Sequence, residues 1–283
     1  MTTAHDMAPA KTGLTLVLGG NGKTGRRVVE RLRALGRAVR VGSRSAQPAF
    51  DWEDRSTWSA ALDGVEAVYV SYQPDLAVPG ALATVQAFYA QALASGATRL
   101  VLLSGRGEEE AQQAEQALQA TRADWTILRA SWFCQNFSES FLLEPIQAGV
   151  VALPVADIGE PFVDVEDIAE VAVAALTQPG HIGQLYELTG PRAITFSQAV
   201  REIAQSTGRD IRFERIAPEA FRAGLAEAQL PADVADLVLY LFTTVLDGRN
   251  LPLADGVQRA LGRAPRDFAD YVRRTAASGL WAA

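Results

Sequence analysis

The sequence predicts an α/β fold: a doubly wound parallel sheet followed by a small, mostly helical C-terminal lobe. Three observations carry that expectation. Leu14, Leu16 and Leu18 alternate with Thr15 and Val17, so the stretch ahead of the first glycines reads as a strand buried on both faces. Gly19, Gly22 and Gly25 follow at GxxGxxG spacing and open a helical pattern over about 22–35. Its apolar residues Val28, Val29, Leu32 and Leu35 share one face, and Gly36 is a natural stop. Apolar runs and helical patterns then alternate as far as Leu128, the rhythm of strands joined by right-handed crossovers.

The remaining elements follow in order. Residues 38–42 read as a second strand ending in Ser43-Arg44-Ser45, and 49–52 as a short third strand before a helix starting near Ser56. Residues 67–71 form an expected fourth strand, followed by Tyr72-Gln73-Pro74-Asp75. A helix over about 80–95 leads to a fifth strand, 99–103, ending in Ser104-Gly105. A helix of Glu, Gln and Ala over about 108–120 precedes a sixth strand, 125–128. Beyond it the rhythm loosens. Residues 133–146 read as an aromatic-rich helix, 154–162 as a loop, and Asp164 as the cap of a helix containing Ile168, Val171, Ala172 and Ala175. Residues 185–188 and 211–215 are late strands in an otherwise helical remainder. This divides the chain into a disordered tail over 1–12 and a dinucleotide-binding domain over 13–155, completed by 162–190. A smaller substrate lobe over 191–283 takes contributions from 133–161.

A strand running through tight glycines into a helix aims free backbone N–H groups and the positive helix end at one point, which suits a pyrophosphate. In such folds the tip of the second strand meets the adenosine ribose. A carboxylate there favours a free 2′-hydroxyl, and an arginine accommodates a 2′-phosphate. This chain has Ser43 and Arg44 and no acid before Asp51, so the reading is NADP(H), with Arg44 stacking on adenine and forking onto phosphate. Lys23 adds a second positive charge. Asp51 either accepts from the adenine amino group or caps the helix near Ser56.

Bulk properties remove other classes. A net charge of −7 and a pI near 5.0 argue against nucleic-acid binding, which needs a basic surface. No apolar run reaches transmembrane length, and the first dozen residues lack the apolar core of a signal peptide, so the expected compartment is the cytoplasm. Cys134 is the only cysteine and reads as core filling; His5 and His181 are scattered, so no transition-metal centre is expected.

Several separated stretches, GGNGKTGRRVVERL, FDWEDRSTW, DWTILRASWFCQNFSE, PFVDVEDIA, YELTGP and GRAPRDFADY, resemble the NmrA-like, atypical short-chain dehydrogenase/reductase family. Within it the likeness is to the festuclavine-dehydrogenase-like reductases of ergot alkaloid assembly and their bacterial relatives. The resemblance covers nearly the whole chain from Gly13 onward. It implies a Rossmann domain, NADPH at the glycine loop, and a C-terminal lobe closing over the nicotinamide. Two departures stand out. Arg129-Ala130 replaces a common arginine-proline, and the superfamily's Tyr-x-x-x-Lys pair is absent, since the only lysines are Lys11 and Lys23 and no tyrosine lies between Tyr89 and Tyr186. Where several such reductases carry a lysine, the helix before the sixth strand reads EEEAQQAEQ.

Cofactor contacts are accordingly expected at Gly19, Asn21, Gly22, Lys23, Thr24 and Gly25, then at Ser43, Arg44, Asp51 and Trp52. A further group is expected at Ser71, Tyr72, Ser104, Gly105, Trp132, Phe133 and Gln135. Tyr72, Ser104 and Asn136 are expected at the reacting end. Each has a plainer reading: a structural tyrosine, a strand-end hydroxyl satisfying local backbone, a helix cap. Trp132, Phe133 and Phe137 either wall a flat acceptor pocket or fill core. Glu108, Glu109 and Glu110 read as a solvated helix start rather than a proton relay.

Reduction of a plain ketone produces an alkoxide that needs an acid, whereas an iminium or quinone is already electron-poor. A chain without the Tyr-Lys pair therefore reads as an NADPH-dependent reductase of such an acceptor, a small molecule. The alternative is a non-catalytic NADP(H) sensor that binds a protein partner; a homodimer is also left open. The cavity beside the nicotinamide discriminates, because an enclosed aromatic pocket of several hundred cubic ångström favours an enzyme.

Overall fold

The computed structural model describes residues 13–282. The expected tail, with His5 and Lys11, lies outside the described residues. β1 (Leu14–Leu18) runs through the glycine turn into α1 (Lys23–Ala34), and β2 (Val39–Gly42) follows. The alternation continues through α2 (Trp58–Leu62), β3 (Val65–Val70), α3 (Ala81–Ala94), β4 (Arg99–Gly105), α4 (Glu109–Gln119) and β5 (Asp124–Ala130). Next come α5 (Leu143–Ala148), β6 (Val150–Leu153), α6 (Val165–Thr177), β7 (Gln184–Leu188), α7 (Phe196–Thr207) and β8 (Arg212–Arg215). Four helices end the chain: α8 (Pro218–Glu227), α9 (Ala232–Tyr240), α10 (Gly256–Leu261) and α11 (Phe268–Ala277).

The main sheet is six-stranded and parallel, in the order β2-β1-β3-β4-β5-β7. β2 and β3 flank β1 on opposite sides, so the chain leaves β1 in one direction and later returns on the other. That reversal opens a crevice beyond the carboxyl ends of β1 and β3. Both sheet faces are covered. Leu16, Leu18, Val68 and Leu100 meet Trp58, Val85 and Phe88 of α2 and α3 on one face. Val17, Tyr69, Val101 and Leu128 meet Val28, Val29 and Leu32 of α1 and the Ala/Val-rich α6 on the other. Each fully buried Leu or Phe here contributes roughly 2–3 kcal/mol of apolar transfer. Asp164 caps α6, as expected, accepting from the Glu166 N–H at 3.0 Å.

A second core lies in the C-terminal lobe, where Phe137, Phe162, Phe196, Phe242 and Phe268 pack together. It supports a two-stranded parallel sheet of β6 and β8. None of the described helices is long and apolar enough to cross a membrane.

Three local expectations are corrected. Residues 49–52 form no strand: the Asp51 N–H is taken by Thr57 Oγ1 (3.0 Å) and its carbonyl by Trp58 Nε1 (2.7 Å), so the groups a ladder would use are committed. Phe50 and Trp52 instead join an aromatic cluster with Trp58 and Phe88. Residues 133–146 are not one helix. Phe133 bridges to Val163, a 3₁₀ turn covers Cys134–Phe137, and α5 begins only at Leu143. Phe133, Phe137 and Phe141 mimic a helical stripe in sequence, but Phe133 packs on the sheet, Phe137 in the lobe, and Phe141 is exposed. Finally, β6 occupies a stretch assigned no strand.

Candidate functional site

At the end of β1, Gly19 adopts φ +62°, a backbone conformation that favours glycine, and the Gly22 N–H closes the turn on the Gly19 carbonyl at 2.8 Å. Gly25, in the first turn of α1, sits directly on that carbonyl: a Cβ there would lie 2.1 Å from Gly19 O. The helix start is therefore pressed against the strand end. Gly22 caps α1 with no side-chain hydrogen bond, and the first turn holds no acidic residue, so its amides stay free for an anion. Lys23 stands beside them; burial pulls its ammonium below the ordinary value, against the attraction of Glu139. These features fit the diphosphate of a dinucleotide.

A cavity of about 430 Å³ extends from this turn. Gly19, Gly22, Lys23, Thr24, Ser71, Tyr72, Ser104, Gly105, Trp132, Phe133 and Asn136 all line it, so most of the expected residues are brought together. Its far wall is apolar, made by Phe141 and by Val234, Leu237, Val238 and Leu241 from α9 and the π-helical turn that follows. Trp132 is braced there by Phe242, with ring centroids 4.9 Å apart, and Tyr72 leans on Trp52 at the same separation.

Other expected residues lie outside this lining. Asn21 is exposed at the turn's tip, and Gly25 acts through its close approach. Ser43 and Arg44 emerge beside the glycine turn, because the register pairs Leu18 with Gly42; Arg44 is exposed there. Asp51 forms a local turn, its Oδ1 accepting from the Glu53 N–H at 3.1 Å, and Trp52 donates to the Ser71 carbonyl at 3.3 Å. Gln135 is buried away from the cavity. Its amide donates to Asp164 Oδ1 (2.7 Å) and accepts from the Val165 N–H (3.0 Å), which ties the 3₁₀ turn to the start of α6. Phe137 is fully buried in the lobe core.

Ser104 lines the cavity, but its hydroxyl is occupied, donating to Glu115 Oε1 of α4 at 2.6 Å. The sheet register sets Ser104, Arg129 and Glu187 side by side on β4, β5 and β7. Arg129 pairs with both Glu115 and Glu187, and Arg106 reaches Glu187 at 3.2 Å. This network stiffens the strand ends beneath the cavity. Arg106 also donates to the carbonyls of Asn250 (2.6 Å) and Pro252 (2.7 Å), while Asn250 Nδ2 returns a bond to the Arg106 carbonyl.

Sequence reasoning missed the acidic side of the cavity. Asp75 and Glu108 line it, and Glu110 accepts from the Tyr240 hydroxyl at 3.2 Å. The three glutamates do not form a uniformly solvated helix start: Glu109 is exposed, Glu110 half-buried and Glu108 buried. Burial, then the nearby Asp75 carboxyl, push Glu108 well above the usual carboxylate range, and burial likewise raises Asp75. The clue available in sequence was Pro74-Asp75 at the end of a strand, a placement that turns an acid toward the crevice.

Residues 19–179 match the NAD(P)H-binding family, and the chain belongs to it. It is 32% identical over 275 residues to the agroclavine dehydrogenase of Claviceps fusiformis, covering 91% of this chain and 95% of that protein. It is 28% identical over 290 residues to the NAD(P)H azoreductase of Xenophilus azovorans, covering 94% and 99%. The NADPH-dependent quinone oxidoreductase of Escherichia coli, solved with NADPH, superposes with a TM-score of 0.74 at 21% identity, covering 92% and 99%. The fold is thus a Rossmann-like NAD(P)H-binding fold, shared with named reductases.

Proposed function

We propose that the protein is an NADPH-dependent reductase that passes hydride to an electron-poor small molecule, such as a quinone, an imine or an iminium. The observation that carries this reading is the cavity itself. About 430 Å³ of space joins an uncapped helix N-terminus to a wall of aromatic and aliphatic side chains, the size and lining of a small-molecule site. Such a wall weighs against a non-catalytic sensor. The named activities of the azoreductase and the quinone oxidoreductase support the same acceptor class.

The residues divide the work. Free amides at the start of α1 and the Lys23 ammonium hold the diphosphate, and Arg44 at the end of β2 selects the 2′-phosphate. When bound, the reduced nicotinamide supplies a hydride. Tyr72, Trp132 and Asn136 orient the flat acceptor, and the α9 wall excludes water from it. Ser104 holds the end of β4 through Glu115 rather than contacting the acceptor. The test is NADPH oxidation against a panel of quinones, cyclic imines and ketones. Turnover is expected with the first two groups, and turnover confined to ordinary ketones would contradict the reading.

A further inference from the structure

Glu108 occupies the N-cap position of α4, yet its side chain caps no amide of that helix. The carboxyl turns back onto the end of β4 instead: a Cβ on Gly105 would lie 2.2 Å from Oε1 and 2.4 Å from Oε2. It therefore fills the space a side chain would take beside Ser104, at the cavity surface. Glu108 is 8% exposed, and its Oε2 has no hydrogen-bond partner among the described residues.

The groups that face it are acidic or neutral. They are Asp75 from the loop after β3, Glu110 and Glu115 from α4, and Tyr240, whose hydroxyl meets Glu110. Of the cations around it, Arg106 is engaged with Glu187 and the 250–252 backbone, Arg129 with Glu115 and Glu187, and Arg249 with Asp247, while Lys23, which lines the same cavity, is drawn to Glu139. A carboxylate in this position would be largely shielded from solvent and set beside other carboxyls, which favours the carboxylic acid.

We propose that Glu108, held as a carboxylic acid against Gly105, donates the proton that completes reduction of a neutral acceptor in this cavity. The inference rests on the reductase reading above and narrows its substrates to molecules that gain both a hydride and a proton. A quinone or neutral imine is reduced by two electrons delivered as hydride from the nicotinamide, which is oxidised. The O–H bond of Glu108 breaks, a new O–H or N–H bond forms on the acceptor, and the carboxylate regains a proton from water after product leaves. A quaternary iminium takes hydride alone and needs no such donor.

The test combines infrared spectroscopy with a comparison of two acceptors. Wild-type protein at pH 7 is expected to show the C=O band of a protonated carboxyl that disappears in Glu108→Gln. In Asp75→Asn the band titrates at lower pH, because a like-charged neighbour is gone. With NADPH, Glu108→Gln should slow reduction of 1,4-naphthoquinone by about a hundredfold or more, the usual worth of a general acid. The loss should exceed that for a quaternary dihydroisoquinolinium at least tenfold. The wild-type quinone rate should fall as pH rises through the band's titration, a limb missing in the variant. An ionised Glu108 at pH 7, or equal losses for both acceptors, would overturn the proposal. Wild-type protein that oxidises NADPH with neither acceptor would sink the reductase reading, and the proposal with it.

Discussion

At the β1–α1 end the cavity is bordered by backbone amides with Lys23 beside them, whereas at the β3–β4 end it is lined by the side chains of Tyr72, Asp75 and Glu108. The first end works by closeness of approach and tolerates no added atom at Gly25. The second works by burial and by which side chains surround a carboxyl. One consequence is that the backbone end should fail abruptly on substitution, and the side-chain end by degrees.

The largest expected effect tests the backbone end. Gly25→Val places a Cβ 2.1 Å from the Gly19 carbonyl, and neither backbone can yield without opening the turn. NADPH binding by calorimetry should vanish, and the melting temperature should fall; retained affinity would mean the helix start does not hold the diphosphate. Next in size is Asp164→Ala, which removes a fully buried carboxylate that Gln135, the Glu166 N–H and Arg274 all donate to. Losing the cap of α6 and stranding the buried Gln135 amide should together cost about 2–5 kcal/mol in urea unfolding. The NADPH affinity of the folded protein should stay within about threefold, since this network is structural; a larger drop would return Gln135 to the cofactor site.

Glu160 gives a smaller, pH-dependent effect. It lies behind Trp132, whose N–H it accepts at 3.3 Å, and burial pushes its carboxyl up to about 7 from an ordinary 4.5. The folded protein then holds a proton that the unfolded chain releases between those values. Stability is therefore fully present below about pH 4.5 and is lost as pH rises to about 7, by on the order of 3 kcal/mol. Glu160→Gln should flatten that slope in thermal melts. The smallest effect belongs to Arg44→Ala, which should weaken NADPH by about tenfold, near 1.4 kcal/mol, and NADH far less. Equal losses would place Arg44 away from the 2′-phosphate.

The same division explains what could be read from the sequence. The glycine turn, β1 and α1 were legible because strand, turn and helix signals lie within about twenty consecutive residues and depend on local backbone sterics. Helix α4 was legible as a helix, but the burial of Glu108 was not. Three consecutive glutamates look solvated until Asp75 and Tyr240, distant in the chain, close around one of them. Gln135 misled for a related reason, since nothing near it in sequence shows that Asp164 and Val165 will claim both ends of its amide. Residues 49–52 had the alternation of a strand but spent it on an aromatic cluster.

The apolar wall has a consequence for how this protein can change. Val234, Leu237, Val238 and Leu241 reach the cavity from a helical segment whose own anchoring, through Phe221, Leu225, Ala235 and Phe242, belongs to the lobe core rather than to the six-stranded sheet. Substitutions along residues 218–241 can therefore reshape which molecules are admitted while the grip on the coenzyme stays intact. Acceptor choice and coenzyme choice are free to diverge separately, and relatives sharing the sheet need not share a substrate.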